Sequence, residues 1–176
     1  MGLQLIFVVE TDKKCNSDWI YIKDTINHFY QYNQAQVKLQ PVYMGGKGNY
    51  VKKEKEISTL IAQYASASKS NQSRVIYCFD CDDFDSRPSD MQFLEKSQRY
   101  CMERKADLVW FCKDIERVYL GKKVDNSQKK WEAADFKAKK LIHKVKAKQL
   151  STTRYLPNTS NIMNILDQYD QYLVRK

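Results

Sequence analysis

The chain has 176 residues, 43% hydrophobic and 29% charged, with a formal net charge of +9 at pH 7. This is the balance of a soluble globular protein, and the length suits one well-buried core, with or without a helical appendage, better than two full domains. No apolar run reaches the ~18 residues of a spanning helix, and Met1–Glu10 is too short and lacks the basic lead of a signal peptide, so the expected location is the cytoplasm.

Leu3–Val9 is apolar apart from Gln4 and fits a central strand covered on both faces, closing at Glu10. Asn16 or Ser17 can cap a helix from about Asp18 to Tyr32, with Trp19, Ile22, Ile26 and Phe29 or Tyr30 at helical spacing. Val37–Met44 reads as a second strand, and Pro41, which has no N–H for a ladder, places it at an edge. Gly45-Gly46-Lys47-Gly48-Asn49-Tyr50 follows. Glycines and a lysine ahead of a helix suit phosphate, but the order is not that of a P-loop, and a flexible turn fits better. A helix over about Lys52–Ser66 carries Ile57, Leu60, Ile61 and Tyr64 on one face, and a small, polar connector leads into the next strand.

Val75-Ile76-Tyr77-Cys78-Phe79 then breaks into Asp80, Asp82, Asp83 and Asp85. A buried strand that ends in acid emerges where open α/β sheets place their ligands. If the extended conformation persists through Cys81, Asp80 and Asp82 leave the same side of the chain. Carboxylates crowded in this way suit a hard divalent cation, while a solvated Asp-rich turn is the other reading. Pro88 can open a helix running to about Arg104, Ala106–Cys112 is a further buried strand, and Lys113–Leu120 is a short helix stopped by Gly121. Alternating strands and helices predict a parallel or mostly parallel α/β unit.

The five cysteines are an odd set. Cys78 and Cys81 have C-x-x-C spacing but no second pair, which favours reduced thiols over a zinc or redox site. His28 and His143 read as packing or surface residues. Between Lys122 and Lys148 ten lysines face three acids, a balance of +7. Trp131, Ala134, Ala138, Leu141 and Val145 give this stretch an apolar stripe, predicting one amphipathic helix with a lysine-covered outer face. Such a face is either simply solvated or a nucleic-acid backbone contact, for which Lys130, Lys137, Lys140, Lys144 and Lys148 are the candidates. Ser151–Ser160 reads as a linker, and Asn161–Leu173 as a closing amphipathic helix.

Glu10 closing the first strand, with Asp80-Cys81-Asp82 closing the third, resembles the Toprim arrangement, and the chain looks most like the small RloB-like and OLD-type Toprim proteins of phage defence. The resemblance spans about Leu3 to Gly121. It implies a compact, Rossmann-like, mostly parallel four-stranded sheet flanked by helices (1–121); the lysine-rich helix and the C-terminal helix (122–176) lie outside it, as a helical extension expected to pack on the same domain. It further implies a nuclease using Mg2+ or Mn2+, with Asp80 and Asp82 as metal ligands and Glu10 as a third ligand or general base. Glu116 and Lys113, after the fourth strand, are carried over as further site residues. Thr11 departs from the Gly that follows the motif Glu in many relatives. The alternative is a non-catalytic module that binds nucleic acid or a protein partner, such as an ATPase encoded elsewhere.

Overall fold

The computed structural model describes residues 1–176. Strand β1 (Leu3–Val9) is buried at every position, as a run apolar on both faces requires. Helix α1 (Ser17–Phe29) and a two-residue strand, β2 (Tyr30–Gln31), lead to β3 (Val37–Tyr43), and a 3-10 segment over Lys47–Lys53 feeds α2 (Glu54–Ala67). Strand β4 (Gln72–Asp80), α3 (Pro88–Glu103), β5 (Asp107–Cys112) and α4 (Ile115–Leu120) follow. Asp114 caps α4 by accepting from the Arg117 amide at 2.8 Å, and Gly121, at φ +70°, ends it.

The sheet order is β3-β1-β4-β5, all parallel, with a short antiparallel fifth strand, β6 (Thr159–Ser160), on the outer side of β5. Strand β3 lies at the edge, as Pro41 predicts. The fifth strand corrects the expectation of four, because it comes from the stretch read as a linker. Its cause is local. The open edge of β5 has backbone groups to satisfy, and Asn161 meets them with its side-chain amide, accepting from the Trp110 N–H and donating to the Leu108 carbonyl, both at 2.9 Å.

The segment after Gly121 also differs from the expected single helix. Helix α5 covers only Lys129–Ala138; Lys140 takes a left-handed conformation at φ +52°, and two 3-10 turns, Leu141–Lys144 and Ala147–Leu150, follow. The expected apolar stripe is out of phase as well. Ala133 and Phe136 face the core, and Phe136 packs against Tyr21 and Tyr119 with ring centroids 5.0 and 5.8 Å away, while Trp131 is 60% exposed. The last predicted helix is likewise shorter: α6 (Ile162–Leu166) gives way to a 3-10 turn, and β7 (Val174–Arg175) pairs with β2.

The helices sit on both faces of the sheet. One apolar cluster joins α1, α4 and one face of β1 to Ala133, Phe136, Ile142, Val145, Leu150 and Ile162, so the C-terminal segment shares the core of the sheet. A second, under α2 and α3, gathers Tyr50, Tyr77, Phe79 and Tyr100. His28 and His143 meet edge to face, 4.7 Å between centroids, and all five cysteines are free. No helix is long and apolar enough to cross a membrane.

Phe136 carries the docking of α5. Phe136→Ala is expected to lower unfolding free energy by about 3–5 kcal/mol, the cost of removing a fully buried aromatic, as read by urea denaturation.

Candidate functional site

Strands β1 and β4 are parallel neighbours, so their C-terminal ends lie side by side. Beyond the last ladder position, the Glu10 side chain turns across and its Oε1 accepts the Asp80 N–H at 2.8 Å. Asp80 in turn accepts the Ile115 N–H at 2.9 Å, which ties the end of β4 to the start of α4. Asp18, in the first turn of α1, accepts the Thr11 N–H at 3.0 Å. Glu10, Asp18 and Asp80 line an open cavity of about 410 Å³, whose walls also include the Gly45-Gly46 turn and Lys129 at the start of α5. The turn is possible because Gly46, at φ +119°, occupies backbone space that side-chain-bearing residues avoid; its N–H donates to the Glu10 carbonyl at 2.8 Å.

Glu116 lies beside this cavity, 1% exposed, with Lys129 Nζ 3.1 Å from its Oε2; neither Glu116 oxygen receives an aligned hydrogen bond. On the other flank Lys47, from the glycine-rich turn, pairs with Asp82 and lies 3.7 Å from Asp90. Burial dominates the electrostatics. It pushes Glu10 up to about 8, with Asp18 and Asp82 adding to the shift and the Asp80 amide and Lys47 opposing it. Asp80 is raised well above the carboxylate range by burial and then by the Glu10 charge, and Asp18 is raised by burial against the pull of the Thr11 amide and Lys129. Burial lifts Glu116 to about 7 despite Lys129. Burial would lower Lys129, but Glu116 and Asp80 hold it above the ordinary lysine value. Carboxylates packed this closely in low dielectric, with few cations among them, are in deficit of positive charge.

The residues expected from sequence divide into three groups. Glu10 and Asp80 converge, and Glu116 lies against the same pocket. Asp82 does not share the side of the chain with Asp80: β4 ends at Asp80, Asp82 takes a left-handed conformation at φ +50°, and its side chain is held by Lys47. Lys113 stands at the rim, 3.4 Å from Asp83 and 3.1 Å from Asp85, where it neutralises the outer acids rather than entering the pocket. Lys130, Lys137, Lys140, Lys144 and Lys148 are all exposed, spread over α5 and the two 3-10 turns. Two pocket residues, Asp18 and Lys129, lie outside the sequence expectations. Asp18 reads as an ordinary first-turn acid of a helix, and Lys129 is one lysine of ten, with nothing in the local pattern to single it out.

No three His, Cys, Asp or Glu side chains are grouped closely enough to enclose a metal ion. The donor set does suit Mg2+, which keeps several waters and binds through one or two carboxylates together with phosphate oxygens. Glu10 and Asp80 each spend one oxygen on a backbone amide and keep the second without a hydrogen bond, beside the cavity. A cleft of similar size, 440 Å³, lies between α2, β4 and the end of α3, but its one carboxylate, Glu54, is already engaged by Arg104 and Tyr100. No family model, curated protein or solved structure matches the chain.

The raised carboxyls set a pH dependence. A carboxyl held above its ordinary value of 4.5 binds its proton more tightly in the folded state, so the associated stability is full at low pH and is lost as pH rises through about 7 for Glu116 and about 8 for Glu10. In EDTA, Tm is expected to fall by roughly 5 °C between mildly acidic and mildly alkaline buffer, and Glu10→Gln to flatten that slope, as measured by calorimetry.

Proposed function

We propose that the Glu10–Asp80 pocket is a Mg2+- or Mn2+-dependent site for phosphodiester hydrolysis and that the chain is a nuclease of the Toprim kind. The observation that supports this most directly is the meeting of Glu10 and Asp80 at the C-terminal ends of neighbouring parallel strands, in a cavity short of positive charge. A parallel sheet opens its ligand crevice at this end.

Glu10 and Asp80 would hold the metal through their free oxygens, and Asp18 would act through its charge from the adjoining wall. The metal would supply a Lewis acid that stabilises charge developing on the phosphoryl oxygens. Around it the chain's own groups have distinct tasks. Lys129, carried by the C-terminal segment and paired with Glu116, offers a cation to a phosphate entering the cavity. Lys47 holds Asp82, and with it the turn after β4, against the glycine-rich loop. The exposed lysines, Lys130, Lys137, Lys140, Lys144 and Lys148 among them, give a backbone contact for nucleic acid that carries no sequence information.

One observation favours the non-catalytic alternative, a nucleic-acid-binding module. Asp82 and the outer acids Asp83 and Asp85 are already engaged by lysines, so the acidic run contributes fewer open ligands than its sequence promises.

Asp80→Asn separates the two. Asparagine keeps the acceptor for the Ile115 amide and removes one unit of charge, so metal-dependent cleavage should drop by about two orders of magnitude or more while nucleic-acid affinity survives. Wild type that cleaves none of a panel of single- and double-stranded DNA and RNA with Mg2+ or Mn2+ overturns the nuclease reading. For the lysine surface, replacing Lys137, Lys140 and Lys144 together by Glu should weaken binding across all sequences and make log K less steep in log salt by about 2 or more, as measured by anisotropy titration.

A further inference from the structure

Of the twenty-two aromatic side chains, Trp131 is the one that stands exposed, at 60%. An indole left in water needs a reason, because Tyr21, Tyr119 and Phe136 pack beneath the same helix and show that the segment buries aromatics where it can. The residues one and two turns further along its face of α5, Ala134 and Ala138, are both small and exposed, so neither roofs the ring.

The charge around it is one-sided. The two acids of α5 are each tied to a lysine, Glu132 to Lys122 at 2.5 Å and Asp135 to Lys139 at 2.9 Å. Seven of the ten lysines between Lys122 and Lys148 are exposed and form no ion pair. A bare aromatic face inside an unpaired cationic field is complementary to a polyanion that carries flat, accessible rings. Its position fits too. Lys129, two residues earlier, faces the carboxylate cavity, and Trp131 lies about 200° further around the helix, so a strand leaving the cavity reaches the indole after a half-turn round a cylinder of ~10 Å diameter.

We propose that Trp131 is a stacking platform for an unpaired base and that the substrate of the carboxylate site is single-stranded nucleic acid, or a single-stranded segment of a folded one. The substrate assignment rests on the nuclease reading; the stacking platform does not. In a duplex the base faces are already covered by their neighbours, and a ring on a convex helix surface cannot reach them, whereas an unpaired base offers its whole face. The lysines hold the backbone without reading sequence, and the indole adds the preference for single strands.

The test is a fluorescence titration of the full chain in EDTA with oligo-dT, oligo-rU and a duplex of the same length. Trp110 is buried and Trp19 half-buried, so the part of the quench that Trp131→Ala removes reports Trp131. Oligo-dT or oligo-rU should quench wild type; Trp131→Ala should lose roughly tenfold in single-strand affinity, Trp131→Phe should recover most of it, and duplex affinity should stay within about twofold. Single-strand affinity untouched by Trp131→Ala, or single- and double-strand affinities falling together, overturns the proposal. So does self-association of wild type that Trp131→Ala abolishes with oligonucleotide binding intact, which would make the indole a protein contact. Because the titration needs no cleavage, a wild type that binds and quenches but never cuts sinks the nuclease reading alone.

Discussion

The hydrogen bond from the Asp80 amide to the Glu10 carboxylate is the joint on which the rest of the site depends. Strand β1 stops pairing with β4 before the latter ends, which leaves the last amides of β4 without a strand carbonyl on that side. Glu10 supplies the missing acceptor from its side chain, so one residue both finishes the sheet and delivers a carboxylate to the crevice. Asp80 repeats the device one strand further on by accepting the first amide of α4. Each carboxylate is thereby fixed by backbone, and each is fixed in surroundings that oppose its charge. The architecture that orients these groups is the same one that raises their affinity for a proton.

The C-terminal segment belongs to this arrangement. Its apolar residues complete the core over α1, which commits α5 to a definite place against the sheet. That commitment carries Lys129 to the wall of the cavity and Glu116's charge to a partner. The segment also keeps its surplus of lysines on the outside, exposed to solvent.

Legibility from sequence followed the physics of each element. Runs that are buried on both faces are apolar throughout, so β1, the inner half of β4 and β5 stood out, and the acids at two of their ends marked Glu10 and Asp80. Asp82 did not follow, because the left-handed turn after Cys81 is imposed by contacts from elsewhere: Lys47 on its side chain and the Lys113 carbonyl, which accepts the Asp82 N–H at 2.7 Å. The lysine-rich stretch carried a helical stripe over its whole length, and which phase was used depended on Phe136 meeting, edge to face, a stacked pair of tyrosines, Tyr21 and Tyr119, that lie outside the stretch. Strand β6 was invisible for a similar reason. Two residues have no period, and the edge they cover has no trace in their own composition.

Both margins of the sheet are finished by side-chain chemistry. At β3, Pro41 offers no N–H, and beside β5 the amide of Asn161 occupies a donor and an acceptor that an extended peptide would otherwise take. Sideways growth is discouraged at both margins: an incoming strand meets a ladder interrupted at Pro41 beside β3 and a donor and an acceptor already occupied beside β5. The ends of the strands and the surfaces of the helices carry the features that the sheet margins lack: the carboxylates, the unpaired lysines and the one exposed indole.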